Sequence, residues 1–167
     1  MRLAQAAGRT VAALLSCECV GMDQPVIVCP KCGGLNRAPM ERLRAGERPD
    51  CGRCHAPLFD GKPSELASLQ AFERMITRTQ IPVVVDFWAA WCGPCRMMAP
   101  QFEAASSDLE PLVRFAKLDT QAVPEVSSRY NIRGIPTMIL FRDGKEIARQ
   151  SGALDRRSIV DFIKRSV

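Results

Sequence analysis

The chain has 167 residues, with 23 Lys and Arg against 18 Asp and Glu, a formal balance of +5 at pH 7. That length suits one ordinary domain, or one small domain with an appendage. With 47% apolar and 25% charged residues the composition excludes disordered and collagen-like chains, and residues such as Arg9, Asp86 and Arg96 break every apolar run before the ~18 residues a membrane span needs.

Residues 1–21 read as an N-terminal extension. Val11-Ala12-Ala13-Leu14-Leu15 falls short of the roughly 7 to 15 apolar residues of a secretory signal, and Arg9 blocks its extension backwards. Leu14-Leu15-Ser16-Cys17 is a faint lipoprotein box; a short amphipathic or frayed extension, or an upstream start ahead of Met22, is the plainer reading. Cys17 and Cys19 receive no role.

Eight cysteines are the informative count. Six of them form three CxxC pairs, a spacing that favours metal or redox chemistry in a reducing compartment over disulfide stapling. Residues 22–60 form a first module, in which Cys29-Pro30-Lys31-Cys32 and Cys51-Gly52-Arg53-Cys54 match the spacing of a structural zinc site. Gly33-Gly34 and Gly52 allow the tight turns that aim backbone amides at the sulfurs. So short a piece has too few large apolar residues to fold by burial alone, so one Zn²⁺ per chain is expected to stabilise it. Four Cys ligands leave no open position for catalysis. Two rivals exist. Cys51-Gly52-Arg53-Cys54-His55 also spells a c-type haem attachment motif with Met40 as a second axial ligand, and a zinc ribbon can bind nucleic acid. The module's charges nearly cancel and Phe59 is its one aromatic residue, so no nucleic-acid partner is expected.

Asp60-Gly61-Lys62-Pro63 is a turn-forming junction, and residues 61–167 form the second unit. Its pattern predicts a helix over 68–79 with Leu69, Phe72, Met75 and Ile76 inward. A buried central strand follows over 82–88, then a helix over 93–109 bent at Pro100. Further on come a strand over 113–118, a short helix over 124–130 and a strand over 137–141. Asp143-Gly144 turns the chain into a strand over 146–150, and Asp155 caps a last helix running to about Arg165. Strands and helices alternate and an antiparallel hairpin closes the chain, so the fold class is α/β, a mixed central sheet between helices.

Trp91-Cys92-Gly93-Pro94-Cys95 falls where the buried strand ends and the helix begins. A sulfur at a helix N-terminus meets unpaired amide hydrogens and the positive end of the dipole, which favour thiolate. Cys92, at the cap and expected to be the more exposed sulfur, is the attacking group. Cys95, one turn inward, is held for the second step. Gly93-Pro94 keeps the turn tight enough for a disulfide to close, and the reaction class is dithiol/disulfide exchange. Arg96 adds positive charge or is a solvated helix residue.

Residues 85–95, Val-Asp-Phe-Trp-Ala-Ala-Trp-Cys-Gly-Pro-Cys, together with Arg133-Gly134-Ile135-Pro136-Thr137 and Gly152-Ala153, resemble the thioredoxin family across about residues 64–167. The four-cysteine module resembles that of the family's zinc-containing thioredoxin 2 branch in bacteria, whose chains begin near Met22. The resemblance implies the thioredoxin fold with a small zinc-ribbon-like module, and a redox-active Cys92–Cys95 disulfide. It implies that Cys92 attacks a substrate protein's disulfide and Cys95 resolves the mixed disulfide. Asp86 resembles a buried carboxylate that exchanges protons with Cys95, and desolvation would raise its pKa to where such a group is useful; a salt-bridged core Asp is the alternative, with Lys117 as its neighbour. Pro136 resembles a cis-proline facing the disulfide, where Ile135 offers backbone bonds to a substrate strand. Trp91, Gly93, Pro94, Gly134 and Gly152 belong to the substrate-binding rim, while Trp88 is expected in the core. The implied partners are disulfide-containing proteins and a flavin-containing thioredoxin reductase using NADPH, with the chain a cytoplasmic monomer that engages neither membrane nor nucleic acid. A zinc-ejecting redox sensor is a second class of function that can coexist with this one. A periplasmic oxidant or isomerase fits Gly93-Pro94 and Ile135 less well.

Overall fold

The computed structural model describes residues 23–167; the readings placed on residues 1–22, including Cys17 and Cys19, lie outside them. Two sheets organise the chain. A two-stranded antiparallel sheet pairs β1 (Val26–Val28) with β2 (Leu35–Arg37), and α1 (Met40–Arg44) follows it. A five-stranded sheet then assembles β3 (Ser64–Glu65), β4 (Val83–Trp88), β5 (Arg114–Asp119), β6 (Thr137–Arg142) and β7 (Lys145–Ser151) in the order β3-β5-β4-β6-β7. Pairings β3–β5 and β4–β5 are parallel, β4–β6 and β6–β7 antiparallel, so the sheet is mixed as the order of elements predicts.

The helices α2 (Leu69–Arg78), α3 (Gly93–Leu109), α4 (Pro124–Arg129) and α5 (Arg156–Ser166) cover its two faces. Because side chains alternate across a strand, β4 sends Val83, Val85 and Phe87 into one core with Phe72, Met75 and Ile76 of α2. Val84 points the other way, into a second core with Met98 and Phe102 of α3 and Ile159 and Ile163 of α5. Asp86 has the parity of Val84, which places it on the α3 side. On β5 the same alternation gives Lys117 the parity of Phe115, and Asp86 and Lys117 are direct partners in the β4–β5 register.

Capping explains several boundaries. Ser68 Oγ accepts from the Ala71 amide and Asp155 Oδ1 from the Ser158 amide, as side-chain caps do. Helix α3 runs through Pro100 without ending there. The pattern-based reading missed β3, whose two residues are too few to show a period; the strand exists because it pairs with Ala116 and Lys117.

The N-terminal module is packed onto this sheet. Its core of Ile27, Leu43, Leu58 and Phe59 takes in Ile81, while Val28 belongs to the α2-side core. Gln80 and Val26 exchange two hydrogen bonds, each 2.8 Å, and Arg74 Nε donates to Gly33 O at 2.6 Å. The junction forms the expected turn, Lys62 N donating to Asp60 Oδ1 at 3.0 Å. It is also tied down: Gly61 N donates to Glu110 Oε2 at 3.1 Å, and Ser107 Oγ donates to Gly61 O at 3.0 Å.

Candidate functional site

Helix α3 begins at Gly93 with Cys92 as its N-cap, and the Cys95 amide donates to Cys92 Sγ at 3.2 Å. A sulfur thus stands where a capping oxygen ordinarily would, among amides that stabilise negative charge. Cys92 and Cys95 are joined as a disulfide, their Cα atoms 5.3 Å apart. The expected contrast in exposure is small in this oxidised form, 3% for Cys92 and 2% for Cys95. What separates them is their surroundings. Cys92 Sγ faces the carbonyl of Ile135 at 3.8 Å, whereas Cys95 lines a pocket that opens to solvent.

That cavity, about 220 Å³, also holds Asp86, Trp88 and Lys117, with Lys62 from the junction and Arg96 and Glu103 from α3 on its walls. Asp86 is 4% exposed and its Oδ1 has no hydrogen-bond partner. Burial pushes its carboxyl up to about 7, against the opposing pull of Lys117. Lys117 Nζ instead pairs with Glu65 Oε2 at 3.0 Å and lies 5.3 Å from the centre of the Trp88 ring. Asp86 is therefore beside the lysine in register yet in no ion pair with it. Trp88, expected in the core, is half-buried on the cavity wall with its indole nitrogen unpartnered.

The rim is built from separate loops. Trp91 is 67% exposed and Pro94 is exposed beside the half-buried Gly93. The Ile135–Pro136 peptide is cis, and the Gly152 amide donates to Pro136 O at 2.9 Å. Gly152 has φ +93° and needs glycine for that reason. A Cβ built at Gly93, Gly134 or Gly152 meets nothing within 4 Å, so these bare surfaces face space outside the chain. Cys92, Cys95, Trp91, Gly93, Pro94, Gly134, Ile135, Pro136 and Gly152 lie at one end of the sheet, Asp86 and Lys117 behind them.

The second cysteine group lies in the N-terminal module, where the sulfurs of Cys29, Cys32, Cys51 and Cys54 all fall within 4.8 Å of one another. Cys29 and Cys54 sulfurs are 3.6 Å apart, and those of Cys32 and Cys51 3.7 Å. Four sulfurs each about 2.3 Å from a tetrahedral zinc are separated by about 3.8 Å, so the donor set fits that ion. The Arg53 amide donates to Cys51 Sγ at 3.4 Å, and Asn36 Oδ1 accepts from the Gly52 amide at 2.9 Å, which supports the second turn from the first hairpin. This arrangement overturns the haem alternative: Cys51 and Cys54 face two other thiols, and His55 is exposed.

One buried charged group escaped the sequence reading. Arg114, 1% exposed, donates to Leu58 O at 2.5 Å and pairs with Glu110 Oε1 at 3.3 Å, its guanidinium 4.2 Å from the centre of the Phe59 ring. A charged residue at the start of an apolar strand was its only signal.

The family model for thioredoxin matches residues 64–165, and the model described as the thioredoxin 2 N-terminal region matches residues 28–56. Thioredoxin C-3 from Corynebacterium nephridii is 46% identical over 129 residues, covering 77% of this chain and 86% of its own length. A thioredoxin from Rickettsia bellii is 39% identical over 59% of this chain and 93% of its own. Among solved structures, the Malassezia sympodialis thioredoxin superposes with a TM-score of 0.56 at 33% identity, over 61% of this chain and 88% of that one. With Cys92 capping α3, Cys95 in its first turn and both matches in sequence order, the chain belongs to the thioredoxin family of thiol-disulfide oxidoreductases, with that family's zinc-ribbon module ahead of the catalytic fold.

Proposed function

We propose that the protein reduces disulfides in other proteins through Cys92 and Cys95. The observation that carries this reading is the asymmetric placement of one dithiol pair, with Cys92 capping α3 beside the Ile135 carbonyl and Cys95 on the Asp86 cavity. In the reduced protein the Cys92 thiolate attacks one sulfur of a substrate disulfide, and the other sulfur leaves as a thiolate and takes up a proton. Asp86, about half ionised at neutral pH, accepts the Cys95 proton; the Cys95 sulfur then attacks Cys92 Sγ and expels the second substrate sulfur as a thiolate, which takes up that proton. The substrate gains two electrons and two protons, and the protein is left as the disulfide seen here. A flavoprotein thioredoxin reductase, drawing on NADPH, returns those electrons.

Trp91, Gly93, Pro94, Gly134, Ile135, Pro136 and Gly152 form the docking rim, and Lys117 offsets charge behind Asp86. Cys29, Cys32, Cys51 and Cys54 hold one structural Zn²⁺, which supplies cross-linking of the module and no open coordination position. The units are 22–60 and 61–167, preceded by the extension 1–21. The CxxC-rich composition suits a reducing, cytoplasmic compartment, where the chain acts as a monomer with no nucleic-acid or membrane partner; no helix among the described residues is long and apolar enough to cross a membrane. Turbidity from insulin reduction by dithiothreitol provides the test: the wild type accelerates it, Cys92→Ser abolishes the acceleration, and an unchanged rate in the variant ends the proposal.

A further inference from the structure

The rim around Cys92 carries charge that the exchange chemistry does not use. A cleft of about 410 Å³ opens beside it, walled by Trp91, Ile132, Gly134 and Ile135, and Arg133 is its one charged lining residue. The Arg133 Nε donates to Asn131 Oδ1 at 3.2 Å, and the side chain enters no ion pair among the described residues. Its neighbours differ: Arg129 is paired with Glu73, and Arg149 with Glu146. Arg96, exposed directly after Cys95, is likewise without a carboxylate partner. Asp119 is the acid nearest in sequence to the cleft, next to its lining residue Thr120, and its Oδ1 already accepts from the Gln121 amide at 2.8 Å. Arg133 thus stands uncompensated on the wall of a cleft that has no acid on its walls, whereas Arg96 lines the Asp86 pocket together with Glu103.

We propose that this face selects disulfides set in acidic sequence, with Arg133 the specificity-determining residue. The partner is a polypeptide with Asp or Glu within about two residues of the attacked cystine, the distance at which an extended strand passing Ile135 comes opposite Arg133. Complementary charge at a rim acts on encounter and register and weakens with salt, so the effect belongs to kcat/KM. The inference rests on the reductase reading above.

The test uses two disulfide-linked peptides identical except for Asp or Lys flanking the cystine, with the full chain held reduced by a thioredoxin reductase system. The expected result at low salt is a kcat/KM about fivefold higher for the Asp peptide, the scale of one or two exposed ion pairs, with the difference shrinking at high salt. Arg133→Gln should remove most of the preference, Arg133→Lys should keep it, and Arg44→Gln, in the N-terminal module, should leave the ratio intact. Equal rates for the two peptides, or a preference that survives Arg133→Gln, overturn the inference while the reductase reading stands. Failure to reduce either peptide overturns both.

Discussion

At Asp86 a carboxyl is buried on a strand, with one oxygen unpartnered and its titration pushed up to about 7 by desolvation. An acid whose folded-state pKa exceeds its unfolded value binds more protons when folded, so stability falls as pH rises from about 4 to about 7 and stays reduced above that. A shift of about three units corresponds to at most ~4 kcal/mol. Asp86→Asn is therefore expected to stabilise the oxidised protein by a few kcal/mol at pH 8 and hardly at all at pH 4, read from urea unfolding at the two pH values. In the reduced protein the same substitution should slow resolution by Cys95, seen as accumulation of mixed disulfide in rapid-quench experiments. The sequence made Asp86 conspicuous as the one acid in a run of β-branched and aromatic residues. Its unpaired state was not legible, because the choice of Lys117 between Asp86 and Glu65 depends on β3, an element too short to read.

Helix α3 joins the two chemical regions of the chain, with Cys92 at its N-cap and Glu110 at its C-cap. Glu110 accepts from Arg114 and from the Gly61 amide, and Arg114 also holds Leu58 and the Phe59 ring. Removing one partner of such a buried pair strands the other charge, at about 3–5 kcal/mol. Glu110→Ala is expected to lose that much stability in denaturant titrations, whereas Glu110→Met combined with Arg114→Met should recover most of it. The boundaries of α3 were readable from Gly93, Pro94 and the later apolar spacing. The clamp at its far end was not, since Leu58 and Arg114 are 56 positions apart and no periodicity links them.

Across the molecule, the module's core includes Ile81 and contributes Val28 to the α2-side core, so the four-cysteine module and the redox fold share packed surface. Stripping metal with a chelator, or Cys51→Ser, is expected to lower the unfolding midpoint of the whole chain by at least ~5 °C in calorimetry, about what a loss of 2 kcal/mol does at this size. A midpoint unchanged by chelation would show that the module contributes nothing to the stability of the sheet. Metal analysis of the untreated protein should return one zinc per chain.

Sequence alone singled out the candidate chemistry-bearing residues and the alternation of elements, because CxxC spacing, helix caps, turn residues and hydrophobic period are local and survive in one dimension. Tertiary structure alone decided which charges meet. The orphaned oxygen of Asp86, the diversion of Lys117 to Glu65, the hold of Arg114 on Leu58 and the unpaired guanidinium of Arg133 all depend on which side chains the fold brings together or keeps apart, and electrostatic pairing is a function of distance and burial that composition does not contain.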